Sequence, residues 1–213
     1  MSQQCINLKL LRPEIPPEVG GIPSEYVAVD GLASAISGPY IDTGIDQTGD
    51  ISVKADYQSG APTTGNALFG SRKEWNDSNF GFMDYAQGGV YRTDYGTDRV
   101  NIQVPQRDNG RHVVEKINNV TKIDDTVVHT SAGKLPTNPI SMYLFAYNVG
   151  TAINRSVMTV YDFEIFKSGI LVQKLVPVRR KSDSEYGMWD TVTEMFFGNA
   201  GSGKFGGGDD LFE

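Results

Sequence analysis

The sequence is poor in the residues from which disulfide frameworks, metal centres and nucleophilic sites are built. Cys5 is the only cysteine, so the chain has no internal disulfide and no thiolate cluster. Histidine occurs twice, as His112 and His129, both among strand-like residues, which suits structural roles better than zinc ligation. No metal site is expected. Positive charge is also scarce: 19 Lys and Arg face 26 Asp and Glu, a net charge of -7, and the isoelectric point is about 4.9. Such a surface repels phosphate backbones, so nucleic acid is not an expected partner. No run of five like charges forms a tail or arm. No apolar run reaches the roughly 18 residues that a spanning helix needs. Met1 to Pro17 lacks the basic-then-apolar layout of a secretory signal. The expectation is a protein made in the cytoplasm without membrane contact. Helical periodicity is missing from every stretch of ten residues, and the best short candidate, Ser182 to Tyr186, is one turn at most.

Glycine and aromatics are plentiful instead, with 24 Gly, 10 Tyr and 10 Phe. Short alternating segments separated by glycine turns predict strands. In Asp50 to Tyr57, the residues Ile51, Val53, Ala55 and Tyr57 share one face. Arg99 to Val104 alternates likewise, with Val100, Ile102 and Val104 on one side. Arg111 to Asn118 and Val120 to Asp124 form a hairpin through Asn118-Asn119. Ile140 to Val149 reads as one strand buried on both faces. Ser156 to Arg179 is the strongest hairpin pattern. Val157, Thr159, Tyr161, Phe163 and Ile165 alternate with Met158, Val160, Asp162, Glu164 and Phe166, and Lys167-Ser168-Gly169 reads as a three-residue loop. Roughly a dozen strands favour two packed sheets. Residues 1–23 hold four prolines and read as an extended proline-rich arm; residues 24–213 read as one β-domain with a glycine-rich tail.

The motifs that could carry chemistry fall short. Gly198 to Lys204 fits the spacing of a phosphate-binding loop, but Phe205 replaces the metal-binding hydroxyl and no helix follows. Asp42, Asp46 and Asp50, and the pairs Asp124-Asp125 and Asp209-Asp210, read as solvated turn aspartates rather than a calcium loop. Asp162 and Glu164 are the best acid pair for glycoside cleavage, but no third acid follows, and Glu164 is expected to face solvent across from Lys174.

From Tyr40 onward, the order of motifs carries a resemblance. The pieces are Tyr40-Ile41-Asp42-Thr43-Gly44-Ile45, Leu68 to Arg72, Phe80-Gly81-Phe82, Tyr91 to Gly96 and the run around Met142 to Ala146. Tyr161 to Phe166, Leu175 to Arg179, Gly187 to Asp190 and Phe196 to Asn199 close the series. This order resembles the concanavalin A-like lectin/glucanase (laminin-G-like) jelly rolls, and more narrowly those found in bacteriophage and prophage virion proteins and in gut-bacterial surface proteins. It implies an all-β, two-sheet antiparallel sandwich without a required cofactor, in which Pro177 ends a long strand and Trp189 plugs the core. It also implies a non-enzymatic virion protein, a capsid decoration, head fibre or tail adhesin, acting as a homo-oligomer with other virion proteins. The alternative is a module that binds surface glycans, for which aromatic platforms flanked by planar polar groups are the candidates: Trp75 with Arg72, Asn76 and Asp77, then Tyr91, Arg92, Asp94 and Tyr95.

Overall fold

The computed structural model describes residues 21–35, 38–60, 66–73, 78–85, 90–103, 110–153 and 156–211. The expected arm therefore lies outside the described residues save for Gly21 to Pro23. Every element described is a strand. In chain order they are β1 (Tyr26–Ala28), β2 (Leu32–Ala33), β3 (Ile41–Thr48), β4 (Ile51–Ser59), β5 (Asn66–Ser71), β6 (Asn79–Tyr85) and β7 (Val90–Gly96). They continue with β8 (Asp98–Gln103), β9 (Arg111–Ile117), β10 (Val120–Ile123), β11 (Thr126–Thr130), β12 (Thr137–Leu144), β13 (Tyr147–Asn148) and β14 (Ala152–Ile153). The last are β15 (Met158–Lys167), β16 (Ile170–Arg180), β17 (Tyr186–Asp190), β18 (Met195–Phe197) and β19 (Gly206–Gly207).

Two sheets stack as a sandwich. The larger runs β11-β10-β9-β4-β15-β16-β17-β18, with β1 on β16 and β2 between β15 and β19. The smaller runs β14-β13-β5-β6-β7-β8, with β12 joining β3 to β5. Pairing is antiparallel except for one parallel contact of β13 with β5. Strand alternation supplies the core between them. Ile51, Val53, Ala55 and Tyr57 are all buried, as their spacing predicts. Phe69 of β5 meets Phe163 of β15 at 5.7 Å, and Tyr57 of β4 meets Phe82 of β6 edge-on at 6.2 Å.

The sequence pattern misplaces several details, each for a local reason. Ile140 to Val149 is not one strand: Phe145 adopts φ +68, which ends β12, turns the chain and starts β13. The faces of β15 are not constant along its length. The register against β4 shifts between Val160 and Asp162. This bulge changes the phase, so Met158 and Val160 point inward first and Phe163 and Ile165 afterwards. The hairpin loop has two residues, not three, because Lys167 pairs with Ile170. Ser168 and Gly169 both have positive φ, 50 and 75, as a type I′ turn requires. Pro177 does not end its strand. It sits where the neighbour of β16 passes from β15, paired up to Leu175, to β1, paired from Val178; at such a gap a missing donor is tolerated. Trp189 is not a plug between the sheets. Its cross-strand partners are Val176 and Phe196. Its ring packs 5.0 Å from Tyr26, and its Nε1 donates to the Gly21 carbonyl at 2.9 Å. The inward neighbour Met188 fills the core in its place.

Candidate functional site

The outward face of the smaller sheet carries a buried polar constellation. Strand β7 generates it by simple alternation: Tyr91, Thr93 and Tyr95 point into the sandwich, and Arg92 and Asp94 point out. The register places Asp94 beside Gly81 on one side and Arg99 on the other. Gly81 in turn pairs with Gly70, and Gly70 with Tyr143. Two adjacent glycines leave a bare strip in the middle of the sheet, and Tyr147 fills it. A Cβ built on Gly70 or Gly81 would lie 2.5 or 2.6 Å from the Tyr147 ring. Only glycine lets the ring lie flat on the backbone.

Tyr147 lies over this strip with its hydroxyl on Asp94. The phenol donates to Oδ2 at 2.9 Å. Arg92 donates through Nε to Oδ1 at 2.8 Å, and Arg99 Nε stands 3.7 Å from the same oxygen. The Arg72 guanidinium lies 5.8 Å from the centre of the Tyr147 ring, within cation–π range. Ala67 and Met83 complete the apolar surround of the tyrosine, with Val149 and Ile153 against them. Burial, followed by the Asp94 charge, drives the Tyr147 phenol well above its ordinary value, so it stays a neutral donor. Asp94 is 1% exposed, and the hydrogen bonds from Tyr147 and Arg92 satisfy its buried oxygens. Arg92 and Arg99 flank the Asp94 carboxylate and Arg72 lies over the Tyr147 ring, so guanidinium cations cluster locally in an acidic chain. Such forks suit carboxylates, sulfates and paired hydroxyls.

The six sequence candidates divide three ways. Arg72, Arg92 and Asp94 come together here. Tyr91 does not join them: it is 3% exposed and packs 5.5 Å from Phe82 inside the sandwich, and Tyr95 faces the same interior. Trp75 and Asp77, with Asn76, fall outside the described residues. Arg99 and Tyr147 belong to the cluster but escaped the pattern reading. The signal for Arg99 was present, since Val100 and Ile102 facing inward set Arg99 outward beside Asp94. Tyr147 was hidden inside an apolar run.

The other candidate chemistry is accounted for by local pairing. Lys174 Nζ approaches Asp162 at 3.5 Å and Glu164 at 2.5 Å, and Glu164 does stand opposite Lys174. His112 contacts Asp124 at 2.7 Å and His129 contacts Asp98 at 3.3 Å. Asp46 binds the Thr48 amide and Lys167. Among the described residues, no three His, Cys, Asp or Glu side chains gather as metal ligands.

No family model and no curated protein matches the chain. Among solved structures it is similar to a protein of Bacteroides ovatus ATCC 8483 proposed to bind carbohydrate, with a TM-score of 0.60 and 10% identity over 86% of this chain. The chain spans 61% of that neighbour's length. The galectin LEC-6 of Caenorhabditis elegans aligns at a TM-score of 0.41 and 11% identity, over 68% of this chain and 99% of the galectin. At such identities the Bacteroides likeness is one of architecture: the chain has the fold of a two-sheet antiparallel β-sandwich.

Proposed function

We propose that the protein binds carbohydrate without transforming it, and that saccharides bearing a carboxylate or sulfate dock on the outward face of the smaller sheet. The observation that carries this reading is the convergence of Arg72, Arg92 and Arg99 around Asp94 and Tyr147 on a glycine-floored strip. Asp94 and Tyr147 hold the guanidiniums in place, and preorganised forks lose little entropy on binding. The likeness to the Bacteroides protein supports the same reading. A virion role, implied by the resemblance, has no comparable observation behind it. Absence of catalysis is supported by the best acid pair, Asp162 and Glu164, sharing Lys174 as an ion partner.

Glycan-array screening followed by calorimetry tests the proposal. Acidic glycans are expected to bind, more weakly as salt rises. Arg92→Gln is expected to lose roughly tenfold in affinity while Arg99 and Tyr147 keep Asp94 paired and the fold intact. Absence of binding to any acidic glycan, or full affinity in the variant, would sink it.

A further inference from the structure

A second polar concavity lies at the far end of the chain, outside the sheet-face cluster. The turn from β16 to β17 and the glycine-rich tail enclose a cleft of about 470 Å³, within the range of small-molecule sites. Asp183, Ser184 and Glu185 come from the turn, Asn199 and Lys204 from the tail, and Tyr186 stands between them.

The walls are built and held. Arg180 donates to both oxygens of Asp183, at 3.0 and 2.7 Å, and also to Glu185. The Glu185 amide donates to Asp183 at 3.2 Å. These contacts fix both carboxylates, yet their side chains remain 48% and 39% exposed. The Arg180 hydrogen bonds also hold Asp183 down at about 2, so it remains an acceptor throughout the physiological range. On the opposite wall, Asn199 shapes the tail: its oxygen accepts from Gly201 at 2.7 Å and its amide donates to Gly203 at 2.9 Å. The glycines let the tail close on its neighbours. A Cβ would fall 2.9 Å from Glu185 at Gly198, and 2.1 Å from the Tyr186 ring at Gly207.

The same loop is the phosphate-loop look-alike, and its geometry is wrong for an anion. The Ala200 amide donates to the Tyr40 carbonyl and the Gly201 amide to Asn199, so neither is aimed at a ligand. Lys204 lines a cleft that also holds the Asp183 and Glu185 carboxylates, not a phosphate cradle. With Arg180, the four charges balance. A balanced site offering carboxylate acceptors, ammonium and hydroxyl donors and one aromatic wall matches a polyol better than an ion.

We propose that this cleft is a second binding site, for the hydroxyl groups of a neutral saccharide. Asp183 and Glu185 accept from adjacent hydroxyls, Lys204 donates to a third oxygen, and the sugar's apolar face lies along Tyr186. The site does not depend on the sheet-face reading.

The experiment is an amide-resonance titration of the full chain with the methyl glycosides of glucose, galactose and mannose at millimolar concentration. Shifts at Ser184, Tyr186 and Lys204 are expected with at least one of them. Lys204→Ala is expected to weaken that binding about tenfold with no change in thermal midpoint, since the lysine is exposed. Arg92→Gln is expected to leave it unchanged. Resonances that stay still with all three sugars, or equal affinity in Lys204→Ala, would overturn the proposal. Shifts confined to the Arg92–Asp94 face would overturn it too while leaving the sheet-face site standing.

Discussion

Lys116 is a lysine with no access to water. It points from β9 into the sandwich, fully buried, and donates to Thr93 Oγ1 of the opposite sheet at 2.7 Å. Thr93 in turn contacts Thr121 at 2.8 Å, so a short polar bridge joins the two sheets through the core. The Phe80 and Tyr95 rings flank the ammonium at 5.1 and 5.5 Å. Burial pushes its pKa down to about 7, against the smaller upward pull of Asp94 and Asp98. An unfolded lysine titrates near 10.4. Between those values the unfolded chain binds a proton that the native chain has lost, so stability contributed through this group rises with pH from about 7 to about 10. Below 7 the penalty is constant, of the order of 5 kcal/mol. Lys116→Met is therefore expected to be more stable than the wild type at pH 7, with the difference shrinking toward pH 10. Urea unfolding of both proteins across this range measures it. A difference that is flat with pH would refute the assignment. Lys116 lies two residues from Val114, which by alternation sets it inward, but alternation alone never signals a buried cation. The same limit explains the candidate site. Arg92 and Asp94 share a face by counting, whereas the placement of Tyr147 on Gly70 and Gly81 depends on a chain reversal between β12 and β13.

At the scale of elements, turns were legible and phase changes were not. Asn118-Asn119 closes β9 and β10 as its composition implies, with Val120 opposite Ile117. Asp124-Asp125, with φ 48 and 64, closes the next hairpin. These turns are local chemistry: small polar residues tolerate positive φ. The bulge in β15 is not local. It is set by how β4 meets β15 and leaves no composition signal, so Tyr161 and Phe163 could not be separated by counting. The β15–β16 turn offers a direct test of the two-residue geometry. Asn-Gly is the preferred pair for a type I′ turn. Ser168→Asn is expected to raise stability by a few tenths of a kcal/mol, and Gly169→Ala to lower it by about 1 kcal/mol, because Gly169 holds φ +75. Thermal unfolding of the two variants reads both signs. A three-residue loop would not show this opposition between the two positions.

The whole sandwich depends on pairings that the pattern of single strands does not reveal. Across the outer face of the larger sheet, Lys122, Glu115, Lys54, Glu164 and Lys174 stand in register on β10, β9, β4, β15 and β16, alternating in sign. A second cross-strand pair, Arg111 with Asp56, lies on the same face, and the order appears only once the strands are assembled. The closure of the core is also a long-range event. The glycine-rich tail reads as a loop, yet Phe205 is buried within it, 5.2 Å from Phe145 and part of the main core cluster. From there the tail follows the start of the domain: β19 pairs with β2, Asp30 donates to Asp209 and Leu211 to Ala28, and Arg179 pairs with Asp210 at 2.5 Å. Phe205 therefore seals one edge of a core whose other walls lie far away in sequence. Phe205→Ala is expected to cost about 3 kcal/mol through the cavity it leaves. Truncation after Lys204 is expected to cost more, because it also removes the β19 ladder and the Asp210 ion pair. Urea midpoints should fall in that order, with the slope of the truncated chain reduced if its native state has loosened. A Phe205→Ala loss below about 0.5 kcal/mol, the size of a neutral surface change, would show that the tail merely rests on the sandwich and that the core closes without it.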